Sequence, residues 1–379
     1  MDSPLYLSLL VGPLEALPAP KALVDAFVSA EVTESATESS GFQITFTLAD
    51  RSLLQTFLLL TAGSSIPFLR VILTASIGGG LPEVIVDGLI EHHEVQPDAM
   101  RGNSKLVVSG RDMRVLMGLI ELTGLPYPAM SPDLRVLLML AKYAPFGIVP
   151  EVIPVPVPDI SVPIEQIPVQ RGTDLTYIEH LASEAGYVFY IVPGPVPGIN
   201  QAYWGPQVRI GTPQPALNVN MDSWTNVESL TFKYQPQGSV LPIVFMQESL
   251  SGVTVPIPIP PVTPFNPPLG VAVPIPQQVH ELDDTAKRSP AEALMLGIAE
   301  AVKHADVVTV NGTLDVTRYG QLLRARSLVG VRGAGLAFDG MHYVDSVTHS
   351  VKPGEYKQSF VLKRNALISD LPTVPTAPY

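Results

Sequence analysis

Residues 170–190, QRGTDLTYIEHLASEAGYVFY (Gln170–Tyr190), read as a polar entry, one amphipathic helix, a glycine stop and a strand. Leu175, Ile178, Leu181 and Ala182 recur at helical spacing and form one apolar stripe. Thr173 or Asp174 is placed to cap the helix start, where a side-chain oxygen accepts from an otherwise unpaired backbone N–H. Gly186 stands where a helix closes in a left-handed residue, a conformation glycine adopts without steric cost. Tyr187–Ile191 is aromatic and β-branched, as a half-buried strand is. No catalytic triad, metal motif or phosphate loop falls within the stretch.

Around it lies a chain of 379 residues, too long for one ordinary core. At roughly 100–200 residues per domain, two to four domains are expected. Hydrophobic residues make up 46% and charged residues 15%, with much of the Val, Ile and Leu beside proline. Such a chain buries apolar surface against partners as well as within itself. The net charge of −12, with no basic cluster, argues against nucleic-acid binding, since a phosphate backbone needs Lys and Arg to displace its counterions. The absence of cysteine excludes disulfides, thiolate metal sites and cysteine nucleophiles. No uninterrupted apolar run reaches the ~18–20 residues of a membrane span. Leu134–Tyr143, broken by Arg135 and Lys142, reads as a buried amphipathic helix. The start Met1-Asp2-Ser3-Pro4 has no positive region, so no secretory leader is expected.

Residues 1–110 read mainly as strands. In Gly41–Leu48, Phe42, Ile44, Phe46 and Leu48 alternate with polar neighbours, the pattern of a strand with one buried face. Asp50 is placed to cap a helix through Leu60, and Phe68–Ser76, Glu83–Glu94 and Lys105–Ser109 are further strands around a Gly78-Gly79-Gly80 turn. A helix is predicted over Arg111–Leu122, with Met113, Leu116, Met117 and Ile120 on its buried side, and another from Ser131-Pro132-Asp133.

Proline then alternates with Val or Ile in Ile153–Pro158 and again in Val255–Pro261. Each proline removes a backbone donor, so neither run suits a central strand, and extended polyproline-like segments lying along a surface are expected. A capped helix opens at Ser289-Pro290 and runs to about Ala305. Val307–Val310, Asn311-Gly312 and Leu314–Val316 read as strand, tight turn and strand. Met341–Ser350, Pro353-Gly354 and Tyr356–Lys363 form a second hairpin, with Tyr356, Gln358, Phe360 and Leu362 on one face and Lys357, Ser359, Val361 and Lys363 on the other.

Chemistry is sparse. Glu91-His92-His93-Glu94 is the one histidine cluster, but neighbouring strand side chains point to opposite faces, so two ligands at most face one ion, too few for a zinc site. No HExxH, GxSxG or phosphate-loop lysine occurs, and Gly333-Ala334-Gly335 reads as a turn. No cofactor is expected, and no residue is singled out as catalytic.

The residues Arg171, Gly172, Asp174, Leu181, Ala182, Glu184, Gly186, Tyr187 and Phe189 resemble a segment of the tail-hub proteins of contractile phages and related injection machines. That class includes the T4-like baseplate hub, the late control protein D family and the first half of type VI secretion spike (VgrG) proteins. Val331–Gly340, with Gly333, Gly335, Asp339 and Gly340, looks like their closing domain, as does the ending with Tyr356, Gln358 and Phe360. Val86–Ile90 and Leu106–Gly110 resemble their first barrel.

The resemblance implies a mainly β fold with α elements (α+β). A tube-like β-barrel with one helix would occupy 1–110. A middle helix/strand domain over 111–235 would include the Pro-rich segment 150–168. A second tube-like barrel over 236–370 would carry a Pro-rich insertion at 255–276, before a flexible tail at 371–379. The implied function is a structural, non-enzymatic hub. As a homotrimer built by heterologous contacts closed by rotation, it would match the sixfold tail tube to the threefold spike and line the delivery channel. Partners would be its own copies, the tail-tube ring, a separate spike chain and baseplate proteins, which the Pro/Val/Ile runs would dock. Assembly would be cytoplasmic, and the product part of a virion tail or injection particle. A tail-associated cell-wall hydrolase and a carbohydrate-binding tail protein are the alternatives, the second because Tyr203-Trp204 and Trp224 offer aromatic surface.

Overall fold

The computed structural model describes residues 5–13, 15–48, 68–98, 104–156, 167–236, 239–247, 254–260, 263, 266–282 and 290–370. The helix expected at Asp50–Leu60, the cap Ser289 and the tail 371–379 lie outside these residues. The chain is mainly β with a few helices, as its alternating patterns require.

The first strands are β1 (Leu5–Gly12), β2 (Leu17–Pro18), β3 (Phe27–Ser35), β4 (Gly41–Thr47), β5 (Arg70–Ile77), β6 (Glu83–Gln96) and β7 (Lys105–Asp112). The middle of the chain supplies β8 (Ile148–Val152), β9 (Val188–Pro193) and β10 (Asn200–Gly205). Then come β11 (Gln214–Asn218), β12 (Ser229–Tyr234), β13 (Val240–Gln247), β14 (Thr254–Pro258) and β15 (Gln278–Glu281). The last are β16 (Val308–Asp315), β17 (Leu328–Arg332), β18 (Gly340–Lys352) and β19 (Glu355–Arg364).

One large sheet runs β12-β16-β19-β18-β3-β4-β7-β6-β5-β1-β2, with β17 beside β18 and β11 beside β17. It contains the same arrangement twice. In the first set, β3-β4-β7-β6 are neighbours and β5 flanks β6; in the second, β12-β16-β19-β18 are neighbours and β17 flanks β18. The sets meet where β18 pairs antiparallel with β3, from Ser346↔Ser35 to Val351↔Ala30. Ser229–Tyr234, sequentially part of the middle segment, therefore belongs by pairing to the closing set.

Alternation dictates which face is buried. Phe42, Ile44 and Phe46 of β4 and Tyr356, Gln358, Phe360 and Leu362 of β19 lie inward, and nearly all the inward side chains join one apolar cluster. The opposite face is largely polar. One row runs through Lys357, Ser350, Glu31, Gln43, Ser109 and His92, crossing from one set to the other.

The expected turn at Asn311-Gly312 is not there: β16 is one unbroken strand, paired with β12 on one side and β19 on the other. Glycine serves contact here and not the turn. A Cβ on Gly312 would stand 2.5 Å from Phe360 Cζ and 2.6 Å from Leu230 Cδ2. The second hairpin stands as read, with Gly354 at φ 80 in its turn.

The helix expected over Arg111–Leu122 is only a 3-10 turn, Met113–Gly118, begun by Asp112, whose carboxylate accepts from Arg114 N. Met113, Leu116 and Met117 are buried as expected, but Ile120 lies beyond the turn and is 66% exposed. Residues 121–127 instead bond to 168–173 through Leu122 N→Gly172 O and Tyr127 N→Pro168 O, on either side of a turn at 123–124.

The second Pro/Val run is no central strand, as expected, but it is not polyproline-like either: Val255–Pro258 lies in β14, at the edge of the small sheet β14-β13-β15. Backbone groups of alternate residues face the partner strand, and Ile259 N donates to Pro242 O. Pro256 and Pro258 occupy the outward positions, where a donor is not needed.

The middle of the chain folds around its own core. The helices Pro132–Ala141 and Asp174–Ala185 pack with the sheet β8-β10-β9, burying Val136, Met139, Ile178, Leu181, Phe189 and Trp204. Among the described residues, no helix is long and apolar enough to cross a membrane.

Candidate functional site: the seam between the two strand sets

The β18–β3 pairing places side chains from opposite ends of the chain side by side. On its polar face the hydroxyl oxygens of Thr33 and Thr348 lie 3.2 Å apart. On its buried face His349, Tyr356 and Gln358 meet Glu34 and Arg324. Gln358 is clamped by backbone: its Oε1 accepts from Leu323 N at 2.9 Å and its Nε2 donates to Leu323 O at 2.8 Å. The same amide nitrogen lies 3.3 Å from His349 Nδ1, and the Tyr356 hydroxyl lies 2.7 Å from it. With a fixed N–H aimed at Nδ1, that nitrogen is the acceptor, and the ring proton is assigned to Nε2. Nε2 faces Glu34 Oε1 at 3.6 Å, outside hydrogen-bond length, so the contact is electrostatic.

Glu34 also accepts from Arg324 Nη1 at 2.9 Å, and Arg324 Nη2 reaches Glu83 at 3.1 Å and Val84 O at 2.8 Å. Burial pushes the Glu34 carboxyl up, but His349, Arg324 and Arg326 outweigh it and bring the pKa down to about 2. Burial holds the Tyr356 hydroxyl well above its ordinary value. Arg326, at φ 62, donates to Ser35 O and lies 4.2 Å over the Tyr190 ring, tying the seam to the middle unit. Tyr190 in turn stacks on Tyr203 at 4.9 Å. Arg324, Arg326, Glu34 and Tyr190 share the wall of an open cleft of about 530 Å³.

The residues singled out by sequence fall into three places. Those of the opening stretch make the corner of the middle unit. Thr173, not Asp174, is the cap, accepting from Thr176 N at 3.2 Å. Asp174 is buried and accepts from Tyr143 Oη, Gln170 Nε2 and Lys142 Nζ at 2.7–2.8 Å. Gly186 has φ 68, and its Cβ position lies 2.7 Å from Met295 O and 2.8 Å from Ala299 Cβ. That corner therefore needs glycine both for conformation and for close packing on the helix Pro290–Lys303. Leu181, Tyr187 and Phe189 are core, Tyr187 meeting Trp204 edge-on at 4.8 Å. Arg171 is exposed, Gly172 has φ 76, and Glu184 lies 3.6 Å from His180.

Gly333, Gly335, Asp339 and Gly340 shape one loop at the end of β17. Asp339 accepts from Ala334 N at 2.8 Å, and a Cβ on Gly333 would meet Val219 O at 1.9 Å. Tyr356 and Gln358 reach the seam, and Phe360 packs in the core cluster beside Gly312. Glu34, Arg324 and Arg326 were not legible as site residues, because no local spacing links positions about 290 apart. Of the histidine cluster, Glu91 is committed to Arg111 through two 2.6 Å contacts. No group of three potential metal ligands is assembled among the described residues.

No family model matches this sequence, and no curated protein matches it. Solved structures do match. A tail protein of Neisseria meningitidis MC58 aligns with TM-score 0.59 and 13% identity over 96% of this chain and 98% of that chain. The 43 kDa tail protein of prophage MuSo2 from Shewanella oneidensis gives 0.58 and 13% over 96% and 100%. A chain of the Francisella PdpA–VgrG complex gives 0.60 and 8% over all of this chain, which spans 55% of that one. At these identities the likeness is one of fold, and the fold is that of phage tail proteins and VgrG-type chains.

Proposed function

We propose that this chain is the structural hub of the baseplate of a contractile tail or injection system, a homotrimer joining the sixfold tail tube to the threefold spike. The observation that carries this reading is the strand arrangement present twice in one chain. Three copies present six such sets, so one assembly offers sixfold-like repetition to a tube and true threefold symmetry to a spike.

The two sets correspond to the two tube-like barrels, and the middle unit buttresses them from outside. The polar face that crosses both sets supplies a channel lining without a binding site for what passes. The hub catalyses no reaction and binds no nucleic acid; its partners are its own copies, the tube ring, a spike chain and baseplate proteins. It is assembled in the cytoplasm and ends in the tail of a virion or injection particle.

Sedimentation and negative-stain imaging of the purified chain test this reading. A threefold ring with a central pore is expected. A stable monomer that joins neither tube nor spike overturns it.

A further inference from the structure

We infer that adjacent copies join by a second version of the seam already present within the chain, the last residues of β6 in one copy adding to β12 of the next. This rests on the trimeric hub reading and names its contact. The internal duplication defines the correspondence residue by residue. Ile44 pairs with Ala30 and Val108 as Gly312 pairs with Leu230 and Phe360. His93 pairs with Val108 as Val347 pairs with Phe360. Thus β3 matches β12 and β6 matches β18.

The two long strands behave alike. β18 has 13 residues, and its first part pairs with β17; it passes an irregularity between Val344 and Ser346, then pairs with β3. β6 has 14 residues, and its first part pairs with β5; it passes an irregularity between Ile90 and His92. Beyond that point β7 is its one strand neighbour among the described residues. β12, the counterpart of β3, likewise has a neighbour on one side alone. Among the described residues the chain thus carries one filled junction and both halves of an unfilled one.

Transferring the register of the filled junction gives the contacts of the other. Val347↔Glu34, Thr348↔Thr33 and His349↔Val32 become His93↔Tyr234, Glu94↔Lys233 and Val95↔Phe232 of the next copy. The pairing sets a carboxylate opposite an ammonium, where Thr348 and Thr33 meet in the chain itself. It also covers apolar surface. His349 and Glu34 are 0% and 8% exposed at the filled junction, while their counterparts Val95 and Tyr234 at the open edges are 43% and 42% exposed. Several other edge strands carry proline, with Pro18 in β2, Pro150 in β8 and Pro256 and Pro258 in β14, though β15 does not. β12 and the end of β6 contain none, so their backbone donors and acceptors stay available for pairing. Because the two edges differ, the contact is head-to-tail and closes only by rotation.

The native chain lacks cysteine, so cross-linking is unambiguous. Residues directly opposite in an antiparallel pair lie at ~4.5–5.5 Å between Cα atoms, within disulfide reach. The Glu94→Cys/Lys233→Cys double variant should oxidise to a covalent trimer on non-reducing gels, and each single variant should remain unlinked. Separately, Glu94→Lys and Lys233→Glu should each weaken trimerisation about tenfold or more, and their combination should restore it. A wild-type trimer with no double-cysteine cross-link and no charge-swap rescue overturns the seam and leaves the hub reading standing. A wild-type chain that stays monomeric in isolation and with tube and spike overturns both.

Discussion

Thr33 and Thr348 touch across a strand pair although 315 positions separate them, and this contact marks where the two ends of the chain become one sheet. Its neighbours on the buried face, Glu34 and His349, give the junction its electrostatic character. The polar and apolar sides of the same six-residue pairing thus hold the two strand sets in a fixed relation.

Acid should loosen that junction. The Glu34 carboxyl has a folded pKa of about 2, below its ordinary 4.5. A depressed acid contributes stability that is present above the unfolded value and is lost as pH falls through the folded one. The contribution, on the order of 3 kcal/mol, should therefore disappear between about pH 4.5 and pH 2. Urea midpoints measured across that range should fall in the native chain, and Glu34→Gln should flatten this part of the profile while lowering the midpoint at neutral pH.

Gly186→Val should destabilise the middle unit by more than about 2 kcal/mol, combining positive-φ strain with overpacking. The close approaches are Met295 O and Ala299 Cβ. Thermal melting of the variant would show it, and an unchanged midpoint would contradict the corner as described.

Gly312→Val tests whether that glycine serves contact or a turn. The Phe360 ring and Leu230 leave no room for a side chain, so a loss of about 1–3 kcal/mol is expected. At Gly354, with φ 80 and open space around its Cβ position, alanine should cost about 1 kcal/mol from backbone conformation alone. Equal effects at the two sites would refute the distinction.

Asp174→Ala removes the acceptor shared by Tyr143, Gln170 and Lys142. Lys142 is partly exposed and regains water, whereas Gln170 is fully buried. A loss of about 2–3 kcal/mol in chemical denaturation is expected, against about 1 kcal/mol for Tyr143→Phe.

Local chemistry made much of the fold legible from sequence. The helix Asp174–Ala185, its glycine stop, the Gly354 hairpin and the inward face of β19 follow from short-range periodicity and from φ preferences, which act within a few residues. Asn311-Gly312 misled because the same dipeptide that suits a turn also suits a strand in which two neighbours leave space only for hydrogen. Arg111–Leu122 misled because helical spacing is a weak preference, and pairing with residues 168–173 outweighed it beyond Gly118.

The sequence by itself determined the α+β class and the middle corner. Tertiary structure alone decided that Glu34 faces His349 and Arg324, that Ser229–Tyr234 joins the closing strands, and that the two sets share one sheet. The physical reason is range. Capping, turns and alternation are written in adjacent residues, whereas strand pairing between positions some 300 apart depends on loop closure and on the surfaces that collapse leaves to be covered.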